Sequence, residues 1–197
     1  MSRTRNLSTG NIGEHFLHLA VPAGIGMLFT TLYNVVDVFF AGLIGTDAQA
    51  GLAISFQAFF ILITFGFGLS AAMTALVGNA IGAKDDSAAC QLAVRGLGFG
   101  VLISALLIIV AIWLGPFLIK LVSTEGAYRD AGTRYFTVLL AAIPSFVMSF
   151  GINGLLQSQG DTVSMQRAQI GAFFANICLN PLLVFGLPGV WDGLGFD

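Results

Sequence analysis

Apolar side chains occupy five long stretches of the chain, from His15 to Gly42, Leu52 to Ile81, Leu92 to Ile119, Tyr128 to Leu156 and Ser164 to Leu187. A hydrocarbon core of about 30 Å is crossed by roughly 20 helical residues, and each stretch exceeds that length. The pattern predicts an all-α integral membrane protein with five transmembrane helices over residues 15–188. A polar segment, residues 1–14, precedes them, and a Gly-rich loop, residues 189–197, follows.

Polar residues inside the runs give each predicted helix its character. The first opens with Glu14, His15 and His18, expected at the membrane interface, and carries Pro22 in its early part. A proline removes one helical hydrogen bond, so a bend is expected there, either a static kink or a hinge. The second holds Gln57, Thr64, Ser70, Thr74 and Asn79 among glycines and reads as a packed helix, with Gln57 in an interhelical hydrogen bond. The third has only Ser104 as a polar side chain beyond Arg95, so much of it is expected to face lipid. Lys120 to Gly132 is the longest charged interruption, and part of it is expected as a helix lying on the membrane surface. The fourth run carries Tyr135, Pro144, Asn153 and Gln157; the fifth carries Gln169, Asn176 and Asn180 just before Pro181.

Asp37 is the one acid deep inside an apolar run. A charged Asp at the bilayer centre costs about 2.5–3.5 kcal/mol on insertion scales, so such residues usually face a bundle interior or a wet cavity and carry function. Thr30, Asn34 and Asp37 fall at i, i+4 and i+7 and form one polar stripe, with Tyr33 one turn before the acid and able to donate to it. Gln169, Asn176 and Asn180, at i, i+7 and i+11, form a second stripe, the natural partner of the first.

Composition agrees with the pattern: 56% hydrophobic and 9% charged residues lie far from the roughly 25% charge of soluble domains. A formal charge of −2 speaks against a nucleic-acid surface. No short apolar core with a cleavage site follows the N-terminal segment, so a removed signal peptide is not expected. Cys90 and Cys178 have no metal-ligand spacing and read as packing residues. A cytoplasmic N-terminus puts Arg3, Arg5, Lys84, Arg95 and Arg167 inside and Lys120, Arg129 and Arg134 outside, which favours that orientation in the cell (inner) membrane. Five helices ending in a loop suggest truncation, since helical transporters commonly consist of paired repeats. The runs offer no His-rich metal set, nucleophile elbow or paired acids, which weighs against a membrane enzyme.

Four motifs in order carry a family resemblance: Tyr33-Asn-Val-Val-Asp-Val-Phe-Phe-Ala-Gly, the run from Gly68 to Asp85, the Gln159-Gly-Asp turn, and Asn176-Ile-Cys-Leu-Asn-Pro. Together they resemble the N-terminal half of MATE (multidrug and toxic compound extrusion) transporters. The resemblance implies twelve helices in two six-helix lobes, opening alternately to export organic cations or drugs against inward proton or sodium flow. The chain then corresponds to the first lobe without its sixth helix, with a second lobe absent here. No cofactor is implied beyond the coupling ion, H+ or Na+.

In the resemblance Asp37 takes the place of the coupling acid, Tyr135, Asn153 and Asn176 match its polar neighbours, and Pro22 matches a proline associated with bending of the first helix. A candidate sodium site then lies near Asp37 and Asn176. Where some members carry a second Asp, this chain has Asn180, which ligates a cation or donates to Asp37 but exchanges no proton. Small-molecule drugs and the lipid bilayer are the expected partners. Rival readings are a lipid-linked oligosaccharide flippase of the same superfamily, whose cavity should be more cationic, and a non-transporting structural subunit of the membrane.

Overall fold

A computed structural model describes residues 11–123 and 127–186, folded as five α-helices. These are α1 (Ile12–Ile44), α2 (Thr46–Gly82), α3 (Asp86–Val122), α4 (Ala127–Ser158) and α5 (Val163–Phe185). All five contain stretches long and apolar enough to span a membrane. In lipid every backbone polar group needs an internal partner, which the helix supplies along its length.

The helices outrun the apolar stretches that announce them. At 37 residues each, α2 and α3 extend about 55 Å at 1.5 Å per residue, well beyond a 30 Å hydrocarbon core. Hydropathy marks the slab and not the helix end. Hence α1 already includes Ile12 to Glu14, α2 begins at Thr46 instead of Leu52, and only Gly45 separates α1 from α2. Lys120 to Gly132 likewise forms no separate surface helix among the described residues, because its two sides continue α3 and open α4. Arg129 donates to the Ser123 carbonyl (2.8 Å) and hydroxyl (3.2 Å), tying the start of α4 to the end of α3. Residues 1–10, 124–126 and 187–197 lie outside the described residues, and with them most of the expected segment 1–14 and all of the expected loop 189–197.

The α2–α3 and α4–α5 turns use one device. A residue in the left-handed region, Lys84 (φ 58°) or Gly160 (φ 72°), ends the first helix. The Asp that follows then accepts a backbone N–H of the next helix, Asp85 from Ala88 (2.9 Å) and Asp161 from Ser164 (3.0 Å). A carboxylate at a helix N-terminus caps free N–H groups and meets a favourable dipole.

Packing divides the bundle. The apolar core consists of Ala58, Phe59, Leu62, Ile63, Leu69 and Met73 on α2, Leu107, Ala111 and Ile119 on α3, and Phe136, Ile143 and Val147 on α4. α2 and α4 run parallel along the tightest seam. At one end Ser55 Oγ lies 2.6 Å from the Gly51 carbonyl and 2.7 Å from that of Gly132. At the other, Thr74 Oγ1 sits 2.8 Å from the Ser70 carbonyl and 3.2 Å from that of Gly154. Glycine is needed here for close approach: a Cβ on Gly51 would stand 2.8 Å from the Gly132 nitrogen, and one on Gly154 would collide with the Ser70 carbonyl.

Three expectations change with the structure. Gln57 is exposed and makes no side-chain hydrogen bond among the described residues; Ser55, two positions earlier, faces α4 instead. Cys90 and Cys178 are exposed thiols and not packing residues. Cys178 lies about 200° around α5 from Asn176, hence away from α1. His15 is buried, whereas Glu14 and His18 are exposed.

Candidate functional site

α1 and α5 also run parallel, meeting along residues that recur at near-helical intervals. Gly26 meets Gln169, Phe29 packs edge-on against Phe173 (5.3 Å between centroids), Asp37 meets Asn176 and Asn180, and Phe40 faces Phe185 (6.4 Å). Such spacing keeps one face of each helix turned to the other. Gly26 leaves room that the Gln169 side chain fills, so the two helices close up three turns before Asp37. The Gly24-Ile-Gly26 pair after Pro22 was the sequence signal for that contact.

At the centre of the seam Asp37 Oδ1 accepts from Asn176 Nδ2 at 2.7 Å and from Asn180 Nδ2 at 2.9 Å. The Asn180 amide, which has two protons, also reaches Asn176 Oδ1 at 3.2 Å. One carboxylate oxygen is thus held by two amides a helical turn apart. Hydrogen bonds to an ionised acceptor are roughly twice as strong as neutral ones, and both contacts converge on one carboxylate oxygen. Asn176 is 7% exposed, Asp37 half-buried.

The other expected site residues divide. Tyr33 lies against Asn176 and within electrostatic reach of Asp37, without a hydrogen bond to it among the described residues. Tyr135, on α4, lies within electrostatic reach of both Asp37 and Tyr33. Asn34 is not in the cluster: its amide donates to the Thr30 carbonyl at 3.0 Å, as Thr30 does to Gly26 at 3.1 Å. Short polar side chains in a helix readily bond to the carbonyl four residues back, which is why the stripe Thr30-Asn34-Asp37 splits. Asn153 is half-buried and makes no side-chain hydrogen bond among the described residues. Pro22 sits inside an unbroken α1.

A cavity of about 290 Å³ opens beside the clamp, lined by Tyr33, Asn176 and Asn180 with Ala172, Ala175, Leu179 and Leu183. It is roomy enough for several waters, each occupying about 30 Å³ in the liquid. Carboxylate, amide and phenol oxygens are hard ligands suited to an alkali cation, and an Asn turns from donor to ligand by exchanging its nitrogen for its oxygen. The site therefore brings one carboxylate together with amide and phenol oxygens beside a cavity.

Five membrane-length helices with one acid clamped by amides define a multi-pass membrane protein with a polar site inside its bundle. The MatE family model matches residues 22–182, and the chain belongs to that family. It is 27% identical over 187 residues to the probable multidrug resistance protein YoeA of Bacillus subtilis, covering 94% of this chain and 40% of that one. It is 26% identical over 188 residues to the FAD transporter of Shewanella oneidensis, covering 95% of this chain and 41% of the other. Its fold matches a MOP superfamily transporter from Pyrococcus furiosus with a TM-score of 0.86 at 25% identity, over 96% of this chain and 42% of that one. The chain thus spans about 40% of the length of these curated relatives. Their names do not support the flippase reading.

Proposed function

We propose that this chain is the first lobe, without its sixth helix, of a two-lobe secondary transporter that exports organic cations or drugs in exchange for protons or sodium ions. The lobe lies in the cell (inner) membrane with its N-terminus in the cytoplasm. The observation that carries the reading is the Asp37 clamp, an acid deep in an apolar helix that receives amides from α5 and borders a wettable cavity.

Water or a bound cation favours the charged carboxylate, and a dry setting favours the neutral acid. With Asp37 charged, both amides donate to it through the 2.7 and 2.9 Å contacts. With Asp37 protonated, the acid becomes a donor, and one amide turns its oxygen inward. With sodium bound, the oxygens of Asp37 and Asn176 face the ion, supported by Asn180 and Tyr33. Each exchange changes how α1 is fastened to α5, and Pro22, four turns from Asp37, supplies the hinge for α1 to respond. A second lobe is required, since alternating access needs two bodies moving about one site. Asn34 and Asn153 take no part in this scheme.

The test is efflux of a fluorescent organic cation from vesicles holding the complete two-lobe protein, under a proton or a sodium gradient, for wild type and Asp37→Asn. Gradient-driven efflux should fall to background in the variant. Unchanged gradient-driven efflux removes Asp37 from coupling. Competition by FAD in place of organic cations moves the substrate class towards that of the Shewanella relative and leaves the coupling role standing.

A further inference from the structure

Arg95 stands where the apolar part of α3 begins; the next charged residue along that helix is Lys120. Among the described residues its guanidinium makes no hydrogen bond or ion pair, and it is exposed. A cation at the edge of the hydrocarbon core without a protein partner is costly unless it snorkels to the headgroup region or meets an anion there.

Arg95 lines a trough of about 700 Å³ between α2 and α3, away from the Asp37 site. The trough runs from Leu76 and Leu92, towards the α2–α3 turn, to Thr64 and Ile103 deep in the bundle. Twelve residues of α2 separate Leu76 from Thr64, about 18 Å at 1.5 Å per residue, close to one leaflet of a 30 Å core. Arg95 is the one charged side chain in its lining. The Thr64 hydroxyl is engaged with the Ile61 carbonyl at 2.6 Å. The trough therefore offers one cation near its polar end and an apolar channel one leaflet deep.

We propose that this trough is a binding site for an anionic phospholipid, its phosphate on Arg95 and one acyl chain laid between α2 and α3. Charge complementarity selects this occupant: a lipid brings the anion and the hydrocarbon together, and basic pockets between membrane helices recognise anionic headgroups. The site is independent of the transport reading above.

The test is native mass spectrometry of the complete purified protein titrated with phosphatidylglycerol or phosphatidylethanolamine. Wild type should retain phosphatidylglycerol preferentially. Arg95→Gln should weaken that lipid roughly fivefold and erase the preference, and Arg95→Lys should keep most of it. Gly68→Leu should weaken both lipids, since a Cβ there enters open space in the trough and clashes with nothing. A photo-crosslinking phenylalanine analogue at Phe99, 57% exposed and in the same lining, should yield an adduct of phospholipid mass in vesicles. Equal phosphatidylglycerol affinity in wild type and Arg95→Gln overturns the proposal. So does an adduct to a peptide of the protein itself, which makes the trough a docking face for another segment.

Discussion

The two halves of this bundle are held by different chemistry. In α2, α3 and α4, between 22% and 33% of the most apolar window of each helix is buried, against 6% in α1 and α5. The first group has the whole apolar core, glycine contacts and hydroxyls that bond to backbone carbonyls. The second has no member of that core; it meets through the Gly26–Gln169 contact, aromatic pairs like those that also join α2 to α4, and a carboxylate–amide clamp that the first group lacks among the described residues. Van der Waals packing between close backbones changes little with pH or ions, whereas a carboxylate held by amides changes with both. A packed body of three helices thus carries a pair of helices that meet at a carboxylate held by two amides.

Asp37→Asn is the strongest way to break this contrast, since it should abolish gradient-driven efflux while leaving the α2–α4 seam intact. Next is Asn176→Leu, which removes the 2.7 Å donor to the carboxylate. Hydrogen bonds to charged groups are worth about 1.5–3 kcal/mol, so the coupling-ion concentration for half-maximal efflux should shift by roughly tenfold or more. Thermal unfolding in detergent should fall by only several degrees, because Asn176 touches none of the apolar core. A large loss of thermal stability with an unshifted ion dependence would assign Asn176 to structure alone.

Gly154→Leu probes the other half. The side chain has to enter against the Ser70 carbonyl and Met73, and overpacking of that kind costs about 1–3 kcal/mol. Yield and unfolding temperature should fall, while ion dependence of the surviving protein stays put. Gly68→Leu, where the added carbon meets open space, is the matched control and should unfold like wild type. Equal destabilisation by both substitutions would mean that the α2–α4 seam is no tighter than the open face of α2.

The clamp was legible in the sequence because the bilayer makes an isolated acid conspicuous, and the i, i+4 spacing of Asn176 and Asn180 puts both amides on one face. Helix ends were less legible: Thr46 to Gly51 looks like a connection, yet it is the first turns of α2, because polar residues outside the hydrocarbon still fold helically. Asn34 misled because periodicity assigns a side chain to a face and says nothing of its competing bond to its own helix. Gln57 and Ser55 show the same limit from the other side: the larger polar residue drew attention, and the small one beside glycine makes the contact.

Ser55→Ala is the smallest effect and the finest test of the division. The hydroxyl has one proton and two carbonyls within 2.7 Å, so it donates to one at a time. The Gly51 carbonyl keeps its place in the α2 ladder without it. Interhelical hydrogen bonds in membrane proteins average about 0.6 kcal/mol, and loss of that amount should lower the unfolding temperature slightly, without the cost of an overpacked seam. Efflux per folded molecule and its ion dependence should match wild type. A shifted ion dependence in Ser55→Ala would couple the α2–α4 seam energetically to Asp37, and the bundle would then respond as one body instead of two.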